Sequence, residues 1–187
     1  MSTFFKTLVL ALAGTILIFY GVGMLLADRW YVETTRTVPA PVTKVVPLLG
    51  NFATWADWSQ MNANLGPETT REVTGQPGTV GHQITWRGAQ GHARLVLAGV
   101  ADNRLQYEFW RQAPGETAAV LRGHGSVRWE AVPGASADTT ATEVTWRDDG
   151  TWDNLAGRWI GWFGALQERM RQIQTSSLTG LEAAVAK

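Results

Sequence analysis

Hydrophobic and polar positions change their rhythm twice along this chain. From Thr7 to Ala27 no residue is charged, and Leu, Val, Ile, Phe, Ala and Gly fill most positions. An apolar run of about 20 residues is long enough to cross a bilayer as a helix, and a helix satisfies its own backbone hydrogen bonds there. From Tyr31 to Asp148 the rhythm becomes short stretches of alternation broken by Gly and Pro. From Leu155 to Ile173 apolar residues recur every three or four positions. The pattern predicts a membrane helix, a β-rich middle and a C-terminal helix.

The first run has rival readings. A secretory signal has an apolar core of about 7–15 residues and a small-residue cleavage site. Here the run is longer, and the best site, after Ala27, has Leu25 where a small residue is needed. An uncleaved single-pass anchor through residues 7–27 is therefore expected, with a cleaved signal or a buried core helix as the alternatives. Trp30 and Tyr31 follow as interfacial aromatic residues would. Lys6 precedes the span, whereas Asp28 and Arg29 cancel after it. The positive-inside rule then places the following domain outside the cytoplasm. The expected divisions are an anchor over 1–29, one domain over 30–175, and a small, polar tail over 176–187 that frays.

In the middle, Tyr31 to Val38 reads as a strand. After Pro39-Ala-Pro41, residues Val42, Val45, Val46 and Leu49 share one face of a short helix, which Pro47 is expected to end or kink. Phe52 to Trp58 reads as another helical turn, with Trp55 and Trp58 on one side. Six further strands are expected, at Thr69–Thr74, Val80–Arg87, His92–Val100, Arg104–Arg111, Ala118–Val132 and Thr140–Asp148. Short Gly/Pro turns between them argue for an antiparallel meander. One face collects His82, Ile84 and Trp86, then Leu105, Tyr107 and Phe109, then Val127 and Trp129, then Val144 and Trp146. The other is polar, so one side of the sheet is covered and the other wet. The last helix, with Leu155, Trp159, Trp162, Leu166, Met170 and Ile173 on its stripe, is expected to cover that apolar face.

Composition narrows the chemistry. Lys+Arg and Asp+Glu both number 16, with no basic block, which argues against a nucleic-acid partner. Without cysteine there is no lipobox, disulfide or thiolate chemistry. His82, His92 and His124 stand singly, so no metal site is expected, and no phosphate loop, nucleophile elbow or dinucleotide fingerprint implies a cofactor. The 10 Trp are unusual for one small domain and point either to a ring-lined cavity or to a solid Trp-rich core.

Candidate site residues follow from the inward face. His82 is the weak catalytic candidate, as a general acid/base; the plainer reading is a histidine satisfied by backbone or water. Tyr107 either orients a ligand's polar end or bonds within the core. Trp86, Trp129 and Trp146 form an aromatic ligand wall or pack as core. Trp58, with Trp55, lies at a short helical turn and is either plain structure or a pair that gates a cavity mouth or dips toward the bilayer. Arg94 and Arg122 fall on the outer face. No inward carboxylate is placed by the pattern.

The element order and particular residues resemble the START-like, helix-grip superfamily, which includes polyketide cyclase/dehydrase-like proteins and lipid-transfer domains. Three stretches carry the resemblance: Val38-Pro-Ala-Pro41 through Val45–Leu49 to Asn51–Trp58; Pro77-Gly-Thr-Val-Gly81 leading to Ile84-Thr-Trp86; and Thr142-Glu-Val-Thr-Trp146. It spans about Tyr31 to Ile173. It implies an α+β fold, a curved antiparallel sheet wrapped around a long C-terminal helix. It also implies an apolar cavity for a hydrophobic small molecule, lipid- or isoprenoid-like, with Trp58, Trp86, Tyr107, Trp129 and Trp146 as the ligand-binding candidates. Members differ in activity, so the alternatives are a cyclase/dehydrase-like enzyme using His82 or an interaction module with a filled core.

Overall fold

The structure, a computed structural model, describes residues 3–61, 65–66, 68–115, 121–134, 140–152 and 154–187. The apolar run forms α1 (Thr3–Leu25). Only Leu26, Ala27 and Asp28 then separate it from β1 (Arg29–Val38). Next come α2 (Val42–Gly50), α3 (Trp55–Trp58), β2 (Thr70–Thr74), β3 (Gln83–Gly88), β4 (Gly91–Ala101), β5 (Arg104–Gln112), β6 (Leu121–Pro133) and β7 (Thr140–Thr151). Two helices follow, α4 (Leu155–Trp162) and α5 (Ala165–Val185).

The strands form one antiparallel sheet in the order β1-β7-β6-β5-β4-β3-β2. Strands β2 to β7 are the expected meander, and β1 returns to pair with β7 from Arg29↔Thr151 to Val38↔Thr142. A register shift between Leu97 and Gly99 marks an irregularity of the kind that bends and twists a strand. The alternation of the sequence is preserved. Ile84, Leu95, Leu97, Leu105, Val127 and Val144 are buried on the inner face, where α5 brings Leu178 and Leu181 against them. The part of the sixth expected strand from 118 to 120 lies outside the described residues.

Several expectations are corrected. Of the two effects expected of Pro47, to end or to kink α2, the first is overturned, since α2 runs on to Gly50. Burial of Val45 and Leu49 on either side of the proline holds the turn despite its missing N–H. Residues 176–185 are no frayed tail. They complete α5, because Ser177, Leu178 and Leu181 face the core and Arg36 donates to the Glu182 carboxylate at 2.6 Å. The stripe from Leu155 to Ile173 is not one helix either. Gly164, with φ of 71°, is left-handed and separates α4 from α5. Trp162 therefore does not reach the sheet.

Helix α4 instead packs on α1. A side chain at Gly23 would overlap Leu155, so the bare glycine surface is what admits α4. Trp159 stacks on Phe19 at 4.9 Å between ring centroids and 10° between planes. The Arg158 guanidinium donates to the Met24 carbonyl at 3.2 Å, near the C-terminal end of α1.

Candidate functional site

The space between sheet and α5 is filled at one end and open at the other. At the filled end, α3 points Trp55 and Trp58 inward. Their rings lie 5.2 Å apart, and Trp55 stands 5.4 Å from Trp146 and 6.2 Å from Tyr107. The Trp55 indole donates to the Leu49 carbonyl at 3.0 Å, tying α3 to α2. Trp55 and Trp58 are buried, which favours the plain structural reading over a gate or a contact with a bilayer. They are core because α3 lies against α5 rather than at a rim.

Behind these rings is a buried polar chain. Trp146 Nε1–H donates to the Tyr107 hydroxyl, and that hydroxyl donates to Asp148 Oδ1, each at 2.5 Å. Gln174 Nε2–H donates to Asp148 Oδ2 at 2.8 Å, and Thr34 Oγ1–H donates to Gln174 Oε1 at 2.8 Å. Strands β1, β5 and β7 and helix α5 are thus joined through one carboxylate. Burial pushes the Asp148 carboxyl up to about 6, against the opposing pull of hydrogen bonds from Tyr107, Gln174 and Trp146. Burial, and then the charge of Asp148, push the Tyr107 hydroxyl well above the usual phenol range.

His82 sits just before β3 and is fully enclosed. Nδ1–H faces the carbonyls of Thr74 and Gly75 at 3.0 and 3.1 Å, and Nε2 accepts from the Phe52 N–H at 3.0 Å. The ring stacks on Phe52 with centroids 4.8 Å apart. Both nitrogens are occupied by backbone, which leaves neither to exchange a proton with a bound molecule. The imidazole pins the β2–β3 turn to the loop before α3.

The open end is a cleft of about 700 Å³ between β3–β6 and the first turns of α5. Trp86, Leu95 and Phe109 line the sheet side, and Leu166, Met170 and Ile173 the helix side. Arg94, expected on the outer face, lines it together with Arg111 and Arg169, and no carboxylate does among the described residues. The Trp86 Nε1–H is buried without an acceptor among the described residues. Of the expected ligand-binding side chains, Trp86 lines this cleft. Trp58, Tyr107 and Trp146 belong to the filled end, and Trp129 is buried on the inner face of β6 outside the cleft. On β5 the lining begins at Phe109, and on α5 it runs from Leu166 to Ser176. Tyr107 follows two residues back along β5, and Gln174 lies between the lining residues Ile173 and Ser176; both are buried, with Asp148, and neither lines the cleft.

Sequence reasoning missed Asp148 and Gln174. Asp148 was signalled by parity, since Val144, Trp146 and Asp148 alternate on one face of β7. Gln174 was hidden because the helical stripe was read as ending at Ile173. Arg111 continues the face of Leu105, Tyr107 and Phe109 and was legible by the same parity.

Curved sheet, long C-terminal helix and intervening cleft define a helix-grip α+β protein. The family model described as polyketide cyclase/dehydrase and lipid transport matches residues 29–186, and the chain belongs to that family. No curated protein matches the sequence closely enough to extend this. Solved structures agree on the fold. A protein from Rhizobium leguminosarum is 16% identical, with a TM-score of 0.55 over 85% of this chain and 95% of its own. Protein Ms6760 from Mycobacterium smegmatis is 11% identical, with a TM-score of 0.55 over 85% and 96%. Major latex-like protein 151 from Panax ginseng is 12% identical, with a TM-score of 0.53 over 86% and 100%. At such identities the likeness speaks for fold alone.

Proposed function

We propose that this protein is a membrane-tethered binder of a hydrophobic small molecule, lipid- or isoprenoid-like, held in the cleft between the sheet and α5. The observation that carries this reading is the cleft itself. Among the described residues it is walled by apolar side chains, holds three arginines without a carboxylate, and has one buried indole N–H without an acceptor. The ligand's body lies against Trp86, Leu95, Phe109 and Met170, where each Å² of apolar surface removed from water contributes about 25 cal/mol. An acceptor-rich or anionic end fits Arg111, Arg169 and the Trp86 indole. The family's printed scope, which includes lipid transport, supports the ligand class.

The tether is α1. Its stretch Phe4–Leu25 has a mean hydropathy of 2.3 and is exposed over most of its length. Lys6 before the span favours a domain on the extracytoplasmic side. The enzymatic alternative loses its general acid/base in the enclosed His82, and Asp148 is fully buried and does not line the cleft. Native mass spectrometry of the full chain, ejected from detergent micelles after incubation with candidate lipids, tests the reading. Retention of an anionic amphipath by wild type and its loss in Trp86→Ala supports it. A bare mass with every lipid overturns it in favour of an interaction module.

A further inference from the structure

Helix α4 presents an apolar face that nothing among the described residues covers. Ile160, Trp162 and Phe163 are 52%, 63% and 71% exposed. The only charged side chain within Leu155–Trp162 is Arg158, and it is turned back onto the Met24 carbonyl of α1. The same helix rests on α1 through Trp159 against Phe19 and Leu155 against Gly23. Phe19 lies six residues before the end of α1 at Leu25, which is roughly 9 Å along a helix axis. Interfacial helices bury their apolar face about 5–10 Å into the boundary between head groups and acyl chains. If α1 spans the bilayer, a helix lying against Phe19–Met24 cannot stand above the membrane surface.

We propose that α4 is a second membrane element, a short helix seated in the same leaflet as the C-terminal end of α1, with Ile160, Trp162 and Phe163 in contact with lipid. This rests on the reading of α1 as a span. The occupant is the bilayer because the exposed rings of Trp162 and Phe163 run on through Trp159 to Phe19 of α1, and because Trp and Phe are side chains that interfacial helices bury at this depth. Gly164 then turns the chain into α5, whose first residues Leu166, Arg169 and Met170 line the cleft. Seating α4 in the leaflet holds that rim at head-group level, where a lipid moves into the cleft without crossing water.

The chain has no cysteine, so a single introduced one carries an environment-sensitive fluorophore without background. The full chain is reconstituted in phosphatidylcholine/phosphatidylglycerol vesicles after labelling at Phe163→Cys, at Leu12→Cys in the middle of α1, or at Glu72→Cys on β2. Expected is blue-shifted emission at 12 and 163, both quenched by brominated lipids. Position 163 should respond most to bromines near the head group and position 12 to bromines near the chain ends, with position 72 aqueous. A lipid-quenched label at 12 with an aqueous label at 163 overturns the proposal and leaves the span standing. Blue-shifted emission at 163 that brominated lipids do not quench also overturns it, in favour of a second copy covering the face. An aqueous label at 12 removes the span, and the proposal with it.

Discussion

Tyr107 on β5 is paired with Gly125 on β6, and the tyrosine ring lies across the space that a side chain at Gly125 would occupy. The glycine lets the phenol reach Asp148 and the Trp146 indole. Gly123 does the same for Phe109, so the Gly-His-Gly run of β6 is a trough for two rings. Gly125→Ala is expected to destabilise the fold by about 1–3 kcal/mol through overpacking, read as a lower urea midpoint. An unchanged midpoint would show that the ring has room to withdraw.

Tyr107→Phe keeps the ring and removes the hydroxyl. The Trp146 N–H and one Asp148 oxygen then lose their partner in a region without solvent contact. Leaving such groups unpaired costs about 1–3 kcal/mol. Chemical denaturation checks this, and a loss near zero would mean that a water replaces the hydroxyl.

Asp148 gives stability a pH dependence of known sign. Its carboxyl titrates at about 6 in the folded protein against an ordinary 3.8. Between these values the folded state holds a proton that the unfolded state has released. The contribution of this group is thus most favourable below the ordinary value and falls as pH rises through about 6, by ~3 kcal/mol in all. Asp148→Asn is expected to flatten this slope and to be at least as stable as wild type at neutral pH. Its amide keeps the chain of bonds if the Gln174 amide turns over and donates to Thr34. Melting curves from pH 4 to 8 for both proteins decide it, and a parallel slope in the variant would assign the dependence elsewhere.

The two ends of the interior should answer differently to truncation. Trp86→Ala removes a cleft wall and is expected to weaken a hydrophobic ligand by roughly tenfold or more, about 1.5–3 kcal/mol. Trp146→Ala empties packed core and is expected to cost ~3–5 kcal/mol of stability. Arg111→Gln should weaken anionic amphipaths and spare neutral ones. Ligand titration beside thermal melting separates the effects, and equal losses of affinity for both ligand types would remove Arg111 from head-group recognition.

His82→Ala deletes an acceptor for Phe52 N–H and a donor to the β2–β3 turn. The expected result is a stability loss of about 1–3 kcal/mol with affinity for ligand retained when folded protein is compared. A selective loss of turnover on any substrate would instead return His82 to the enzymatic reading.

Much of the fold was legible because burial on one side of a sheet imposes a period of two. Ile84/Trp86, Leu105/Tyr107/Phe109 and Val144/Trp146 all face inward as the alternation implied. Periodicity says which side a residue takes but not what lies opposite. The same face holds Trp86 in the cleft and Trp146 in solid core, and only the position of α3 separates them. The helical stripe misled in the complementary way. Its spacing is continuous through Gly164, but a left-handed glycine redirects the axis, so Trp162 and Phe163 serve a different surface from Met170. The tail from 176 was misread because Ser177 and Gly180 look polar and small, whereas their size is what lets α5 approach α3. A side chain at Gly180 would overlap the Trp58 backbone, and Ser177 accepts from the Gln60 N–H at 2.8 Å.

The connection between α1 and β1 is three residues long, and it is held down as well, since the Asp28 carbonyl accepts from Trp152 N–H at 2.7 Å. Fully extended, such a link reaches only about 10 Å. On the tethered reading the domain is therefore no ferry. It has no leash on which to travel to a facing membrane, and any cargo it takes up must be handed over within the sheet of lipid where it was collected, or to a visitor that comes to it.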